Sequence, residues 1–143
     1  MNDKFDGLVI ESFDHHKTYH HLKQFDCGHP FLNGFAQRNL KTQAKRSVAT
    51  AYVLLDTHQQ EKVVGYYTLH AFALGRHTLT TITSESLPHM VPVTRLGMLA
   101  VHKDYQQKKL GTRLLRHAML KTLQASKAVG SKGIYLDAEQ QAV

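Results

Sequence analysis

Apolar and polar positions alternate along this chain with two different periods. Residues 8–13 ("LVIESF") predict a short first strand. From Pro30 the period lengthens: Phe31, Leu32, Phe35, Leu40 and Ala44 recur at roughly helical spacing. A proline suits the first helical turn, where its missing N–H has no partner to lose. The β-branched run 47–56 ("SVATAYVLLD") predicts a strand, "THQQE" a polar turn, and 62–74 ("KVVGYYTLHAFAL") a second strand, so the two form a hairpin. Residues 75–90 are polar and predict an exposed loop. The segment 91–101 ("VPVTRLGMLAV") is the most apolar strand and is expected at the centre of the sheet. Gly97 inside it predicts a bulge or a close backbone approach.

A polar stretch, "DYQQKKLGT", follows, and then a helix. Leu110, Leu114, Leu115, Ala118, Thr122 and Leu123 fall on one face, with Arg113, Arg116 and Lys121 largely elsewhere. Gly130 and Gly133 end it, and 133–138 ("GIYLDA") predicts a last strand. Strand, helix and strand of these lengths form a crossover whose outer strands run parallel. The pattern is that of a single α/β domain with a mixed sheet, and 143 residues are the size of one domain.

Composition narrows the class. A chain of this length buries roughly 70% of its unfolded surface and needs neither metal nor disulfide to hold a core. Cys27 is the one cysteine, which excludes an internal disulfide and fits a reducing, cytoplasmic setting. The N-terminus lacks a basic start followed by an apolar stretch, so no signal peptide is expected, and no apolar run approaches the roughly 18 residues of a membrane span. The formal charge is +7, from 18 Lys+Arg against 11 Asp+Glu. A polyanion (RNA, DNA or a phosphorylated cofactor) is one partner this suits; solubility alone would also account for it.

The polar stretch carries the candidate chemistry. A helix start presents about four unpaired N–H groups and the positive end of a dipole, and after a buried strand it suits a phosphate. Gln106 and Gln107 can donate further hydrogen bonds, Lys108 and Lys109 supply charge, Thr112 offers a hydroxyl and Gly111 allows close approach. A solvated polar turn would have the same composition. If Gly97 marks a bulge, residues 98–101 are forced away from 134–137. The backbone groups left unpaired suit an extended, amide-bearing ligand laid in the gap.

The stretch "VPVTRLGMLAVHKDYQQKKLGTRLLRHAMLKTL" resembles the core of the GCN5-related N-acetyltransferases (GNAT). Their motif Gln/Arg-x-x-Gly-x-Gly/Ala maps onto Gln106, Lys109 and Gly111. The ordered set "FDCG", "VVGYY" and "LGMLAV" is similar to the acetyltransferase toxins of bacterial toxin–antitoxin pairs, from about Phe25 to about Ala138. The resemblance implies acetyl transfer from acetyl-CoA to the α-amine of an aminoacyl-tRNA, and a ribbon-helix-helix antitoxin as partner. It implies that Leu99, Ala100 and Val101 pair with the pantetheine arm, that Leu99 N–H stabilises the oxyanion, and that Gln106, Gln107, Lys108, Lys109, Leu110, Gly111 and Thr112 surround the phosphates. Lys41, Lys45, Arg46, Arg76 and Arg95 would receive tRNA phosphates; ordinary surface charge is the alternative.

Two departures from the family pattern stand out. Lys109 replaces a glycine, at a cost of roughly 1 kcal/mol if the site needs a left-handed backbone. The family also continues past the fifth strand with a helix carrying Phe-Tyr-x-x-x-Gly-Phe and two more strands. Its tyrosine is the general acid. This chain ends "LDAEQQAV", and Tyr135 lies on the strand itself, so the fold is expected to be truncated after the fifth strand. Loss of a general acid commonly costs 10²–10⁴-fold in rate. An exposed fifth-strand edge would favour a homodimer paired along it. A catalytically inactive binding or self-associating protein, and a small-amine acetyltransferase, are the alternatives.

Four histidines in "HHKTYHH" (15–21) lack acidic or cysteine partners at ligand spacing, and solvated side chains rather than a metal site are expected. Cys27 fits a small buried hydrophobe better than a nucleophile, within an "FDCG" motif taken as structural. Tyr66 and Tyr67 are expected to pack in the core or at its edge, with lining of the acceptor pocket the alternative for one of them.

Overall fold

The computed structural model describes residues 7–79 and 85–136. In chain order the elements are β1 (Leu8–Ser12), α1 (Pro30–Gly34), a π turn (Phe35–Asn39), α2 (Leu40–Lys45), β2 (Thr50–Asp56), β3 (Lys62–Gly75), β4 (Met90–Val101), α3 (Leu110–Ala128) and β5 (Ile134–Tyr135). The sheet order is β1-β2-β3-β4-β5. The first four strands form an antiparallel meander. α3 then crosses over to bring β5 alongside β4 in parallel, as the strand–helix–strand pattern requires. The expected mixed α/β sheet is present. Residues 137 and 138 of the expected last strand, and 80–84 of the expected loop, lie outside the described residues.

Two expectations change. The central strand is β3, not β4: residues 63–69 are buried without a break. The physical reason is that helices cover both sheet faces at this point. Phe25, Phe35, Leu40 and Tyr66 pack on one face, and Tyr67, Leu110, Leu114 and Ala118 on the other. The single predicted helix after Pro30 is also three segments. Phe35 and Leu40 both bury in the core, yet they stand five residues apart, which overshoots an α turn of about 3.6. The wider turn resolves this, with Leu40 N–H donating to Phe35 O. Phe31, assigned to the same stripe, is 64% exposed.

On α3 the buried stripe is Leu110, Leu114, Ala118 and Thr122. Leu123, expected on that face, is exposed together with Met119 and Leu120. Gly130 follows the helix with φ +84°, a left-handed terminator. No helix among the described residues is long and apolar enough to cross a membrane.

Candidate functional site

The site begins with the bulge in β4. Tyr67 pairs with Leu99 and Leu69 with Leu96, so Gly97 and Met98 together face Thr68. Met98 N–H donates to Thr68 Oγ1 at 3.0 Å. A Cβ on Gly97 would come within 3.0 Å of that same oxygen, which is the close approach that calls for glycine. The added residue resets which backbone groups face which neighbour. Before the bulge, Thr94 N–H donates to Gly133 O on the β5 side. After it, His102 N–H donates to Val64 O on the β3 side. By strand alternation Ala100 faces β3 as well, whereas Leu99 and Val101 turn their N–H and C=O groups toward the β5 side. Among the described residues, β5 pairs with β4 only at Thr94 and Arg95. The neighbours that Leu99 would meet on that side, past residue 136, lie outside the described residues. Ala100 differs from expectation: its backbone groups are directed to β3, so they do not serve a ligand in the gap.

The turn after β4 completes the site. Gln107 and Lys109 both have φ 62°, and Lys109, with ψ 21°, precedes α3 without a side-chain cap. The first intrahelical bond runs from Arg113 N–H to Lys109 O. The amides of Leu110, Gly111 and Thr112 precede it and point out of the helix start. Leu110 anchors the turn in the core, so only its amide serves the site; Gln107, Lys108, Lys109 and Thr112 are exposed. A Cβ on Gly111 would meet only Leu99 Cδ2 at 3.9 Å, an ordinary contact, so packing alone does not demand glycine there. Amide donors at the start of α3, entered through a left-handed turn, fit a diphosphate.

Gln106 departs from the expected role. Its Nε2 donates to Val101 O at 2.8 Å and to Cys27 O at 2.7 Å, so the side chain serves the protein's own carbonyls rather than an anion. Val101 O is thereby occupied by the protein itself.

Sequence reasoning missed the group that surrounds Cys27. Asp26 Oδ1 accepts from Gly28 N–H and Asn33 Nδ2, and Asp26 Oδ2 pairs with Lys103 Nζ at 3.1 Å. The Gly28 amide first, then Lys103 and Asn33, hold the Asp26 carboxyl down at about 2. Asn33 Oδ1 accepts from Cys27 N–H at 2.7 Å. The spacing Asp-x-Gly is an Asx-turn signature, and that was the available signal. Burial pushes the Cys27 thiol up, away from thiolate chemistry.

Tyr66 and Tyr67 are fully buried. Tyr66 OH donates to Leu32 O at 2.8 Å, and Tyr67 OH lies 2.7 Å from His117 Nδ1 on α3. Burial raises both phenols well above their usual range. Lys41 is exposed in the first turn of α2, Lys45 and Arg46 are exposed at its end, and Arg76 is exposed just past β3. Arg95 is half-buried on β4 with its guanidinium over the Phe72 ring at 5.1 Å, and Phe72 in turn stacks on Tyr135. Among the described residues no three His, Cys, Asp or Glu side chains gather as a metal site.

Residues 48–143 match the acetyltransferase (GNAT) domain family. A tRNA-acetylating toxin of Mycobacterium tuberculosis is 27% identical over 117 residues, which span 82% of this chain and 69% of the toxin. AtaT complexed with acetyl-methionyl-tRNAfMet superposes with a TM-score of 0.85 at 30% identity, covering 94% of this chain and 81% of AtaT. A mutant AtaT bound to the C-terminus of the antitoxin AtaR and to acetyl-CoA superposes at 0.80 with 32% identity, covering 96% of this chain and 79% of that one. The match takes in every strand from β2 to β5 and the turn before α3, and the chain belongs to the GNAT acetyltransferase family.

Proposed function

We propose that this chain is a toxin of a toxin–antitoxin pair that transfers acetyl from acetyl-CoA to the α-amine of an aminoacyl-tRNA. The observation that carries the reading is the uncapped start of α3, entered through the left-handed Lys109 directly after the bulged β4. The tRNA-acetylating toxin and the acetyl-CoA-bound AtaT support it. The amides of Leu110, Gly111 and Thr112 bind the pyrophosphate, with Gln107, Lys108 and Lys109 around it. Leu99 and the Val101 N–H orient the extended arm as a neighbouring strand would. Acetyl-CoA supplies the activated acetyl group as a thioester. Leu99 N–H, turned to the β5 side, donates to the carbonyl oxygen that gains charge as the amine attacks; the new C–N bond replaces the C–S bond, and the thiol of CoA leaves with the proton the amine gives up. An α-amine titrates near or below about 8, so much of it is already neutral at physiological pH and needs little help from a base. Lys41, Lys45, Arg46 and Arg76 offer cationic contacts for tRNA phosphates.

The test is transfer of radiolabelled acetyl from acetyl-CoA by the full chain. Label is expected on aminoacyl-tRNA and not on deacylated tRNA. Label on neither, or on free small amines alone, would overturn the reading. The same reading takes in a ribbon-helix-helix antitoxin, a cytoplasmic setting and two copies paired along β5. Sedimentation velocity at high and low loading distinguishes a pair from a single copy.

A further inference from the structure

We propose that the Asp26–Gly28 turn is a positioning element of the acyl-donor site, acting through Gln106. This rests on the reading of that site given above, and it assigns a task to the "FDCG" segment that the reaction does not otherwise use. Three bonds tie the turn to the end of β4. Lys103 N–H donates to Asp26 O at 2.8 Å, Lys103 Nζ pairs with the Asp26 carboxylate, and Gln106 Nε2 donates to Cys27 O. The turn is itself held from inside. Asp26 accepts from Gly28 and Asn33, and Asn33 accepts from Cys27 N–H, so the Cys27 carbonyl is aimed by a closed set of partners. Gln106 then uses its two amide hydrogens on two carbonyls, one in this turn and one at Val101. The second fixes the last residue of the ligand-facing edge, and the backbone of Gln106 leads directly into the left-handed turn before α3. The turn before α1 and the turn before α3 are thus one mechanical unit, although 79 residues separate Cys27 from Gln106. Neither the Asp26–Gly28 turn nor the Gln106 side chain needs to touch the donor; they set where Val101 and the amides of 110–112 stand.

The test is CoA affinity of the full chain by calorimetry, with hydrogen exchange as a second measurement. Gln106→Leu keeps the bulk and removes both donors; it is expected to weaken CoA about tenfold, the effect of one to two lost hydrogen bonds. Gln106→Arg retains donors enough for both carbonyls and is expected to stay within about threefold of the parent. Asp26→Asn, remote from the donor, is expected to weaken CoA several-fold. The double variant Asp26→Asn/Gln106→Leu is expected to be no weaker than Gln106→Leu alone, because both changes break one tie. Parent-like affinity of Gln106→Leu, or effects that multiply in the double variant, would overturn the proposal. If Gln106→Leu fails to fold, Asp26→Asn decides: it must speed amide exchange across 106–112, and unchanged exchange there overturns the proposal. A parent chain that binds no CoA defeats the functional reading instead, and the exchange measurement still decides the tie.

Discussion

Lys109 holds a backbone conformation that costs glycine little and costs any residue with a Cβ about 1 kcal/mol. Replacing it with glycine should therefore raise stability by about 1 kcal/mol, read as a melting temperature about 2–4 °C higher. Lys109→Ala keeps the Cβ and should leave the melt unchanged; a gain with alanine would place the cost in the ammonium group instead. Sequence alone located this position through the glycine it replaces, but a lysine there gives no sign that the backbone turns left-handed, so the conformation was not legible. Gln106 shows another limit. Its type announced a hydrogen-bond donor at the right place, yet its target was set by a carbonyl far along the chain, which no local pattern reports. Gly97 was legible because a lone glycine weakens an apolar strand unless a bulge or a close neighbour requires it.

At the scale of elements, α3 is pinned to the sheet by more than its apolar stripe. His117 meets Tyr67 OH, Tyr52 stacks on Tyr67, and Lys121 lies over Tyr52. Burial, and then the Lys121 charge, lower the His117 pKa in the folded state. The unfolded chain thus takes up the proton first as pH falls, and His117 contributes stability that is full above about 6.5 and lost below it. His70 and His102 are lowered as well, each chiefly by burial, so their contributions have the same sign. The urea midpoint should fall between pH 7.5 and pH 5.5. His117→Gln, which can still accept from Tyr67 and does not titrate, should show a smaller fall; an unchanged fall would place the effect on His21, His70 and His102. Periodicity revealed α3 and its terminating glycine. It missed the π turn, because a spacing of five reads as a loose helical repeat until both residues prove to be buried. It widened the α3 stripe to Leu123 because apolar type alone does not separate a core position from an exposed one.

At the scale of the molecule, the hairpin and the crossover followed from pattern, while the strand order, and with it the identity of the central strand, depended on which helices cover which face, a non-local fact. The formal charge of +7 takes on a place as well as a sign, since Lys41, Lys45 and Arg46 lie within or just after one short helix. Filter binding of aminoacyl-tRNA across a salt series should give a steep line. Replacing these three residues with glutamine should reduce its log–log slope by roughly two to three, at nearly one counterion per phosphate contact. An unchanged slope would remove them from the RNA surface. The bulge in β4 has a further bearing on how this site tolerates change. Side chains along β4 can be exchanged with modest effect on which amide looks where, but the tally of residues between Arg95 and Leu99 cannot change by one. Deleting a single position there would swing the Leu99 amide inward and present Ala100 to the opening instead. The site is written in the length of this strand as much as in its letters, and drift by substitution is open to it where drift by insertion or deletion is not.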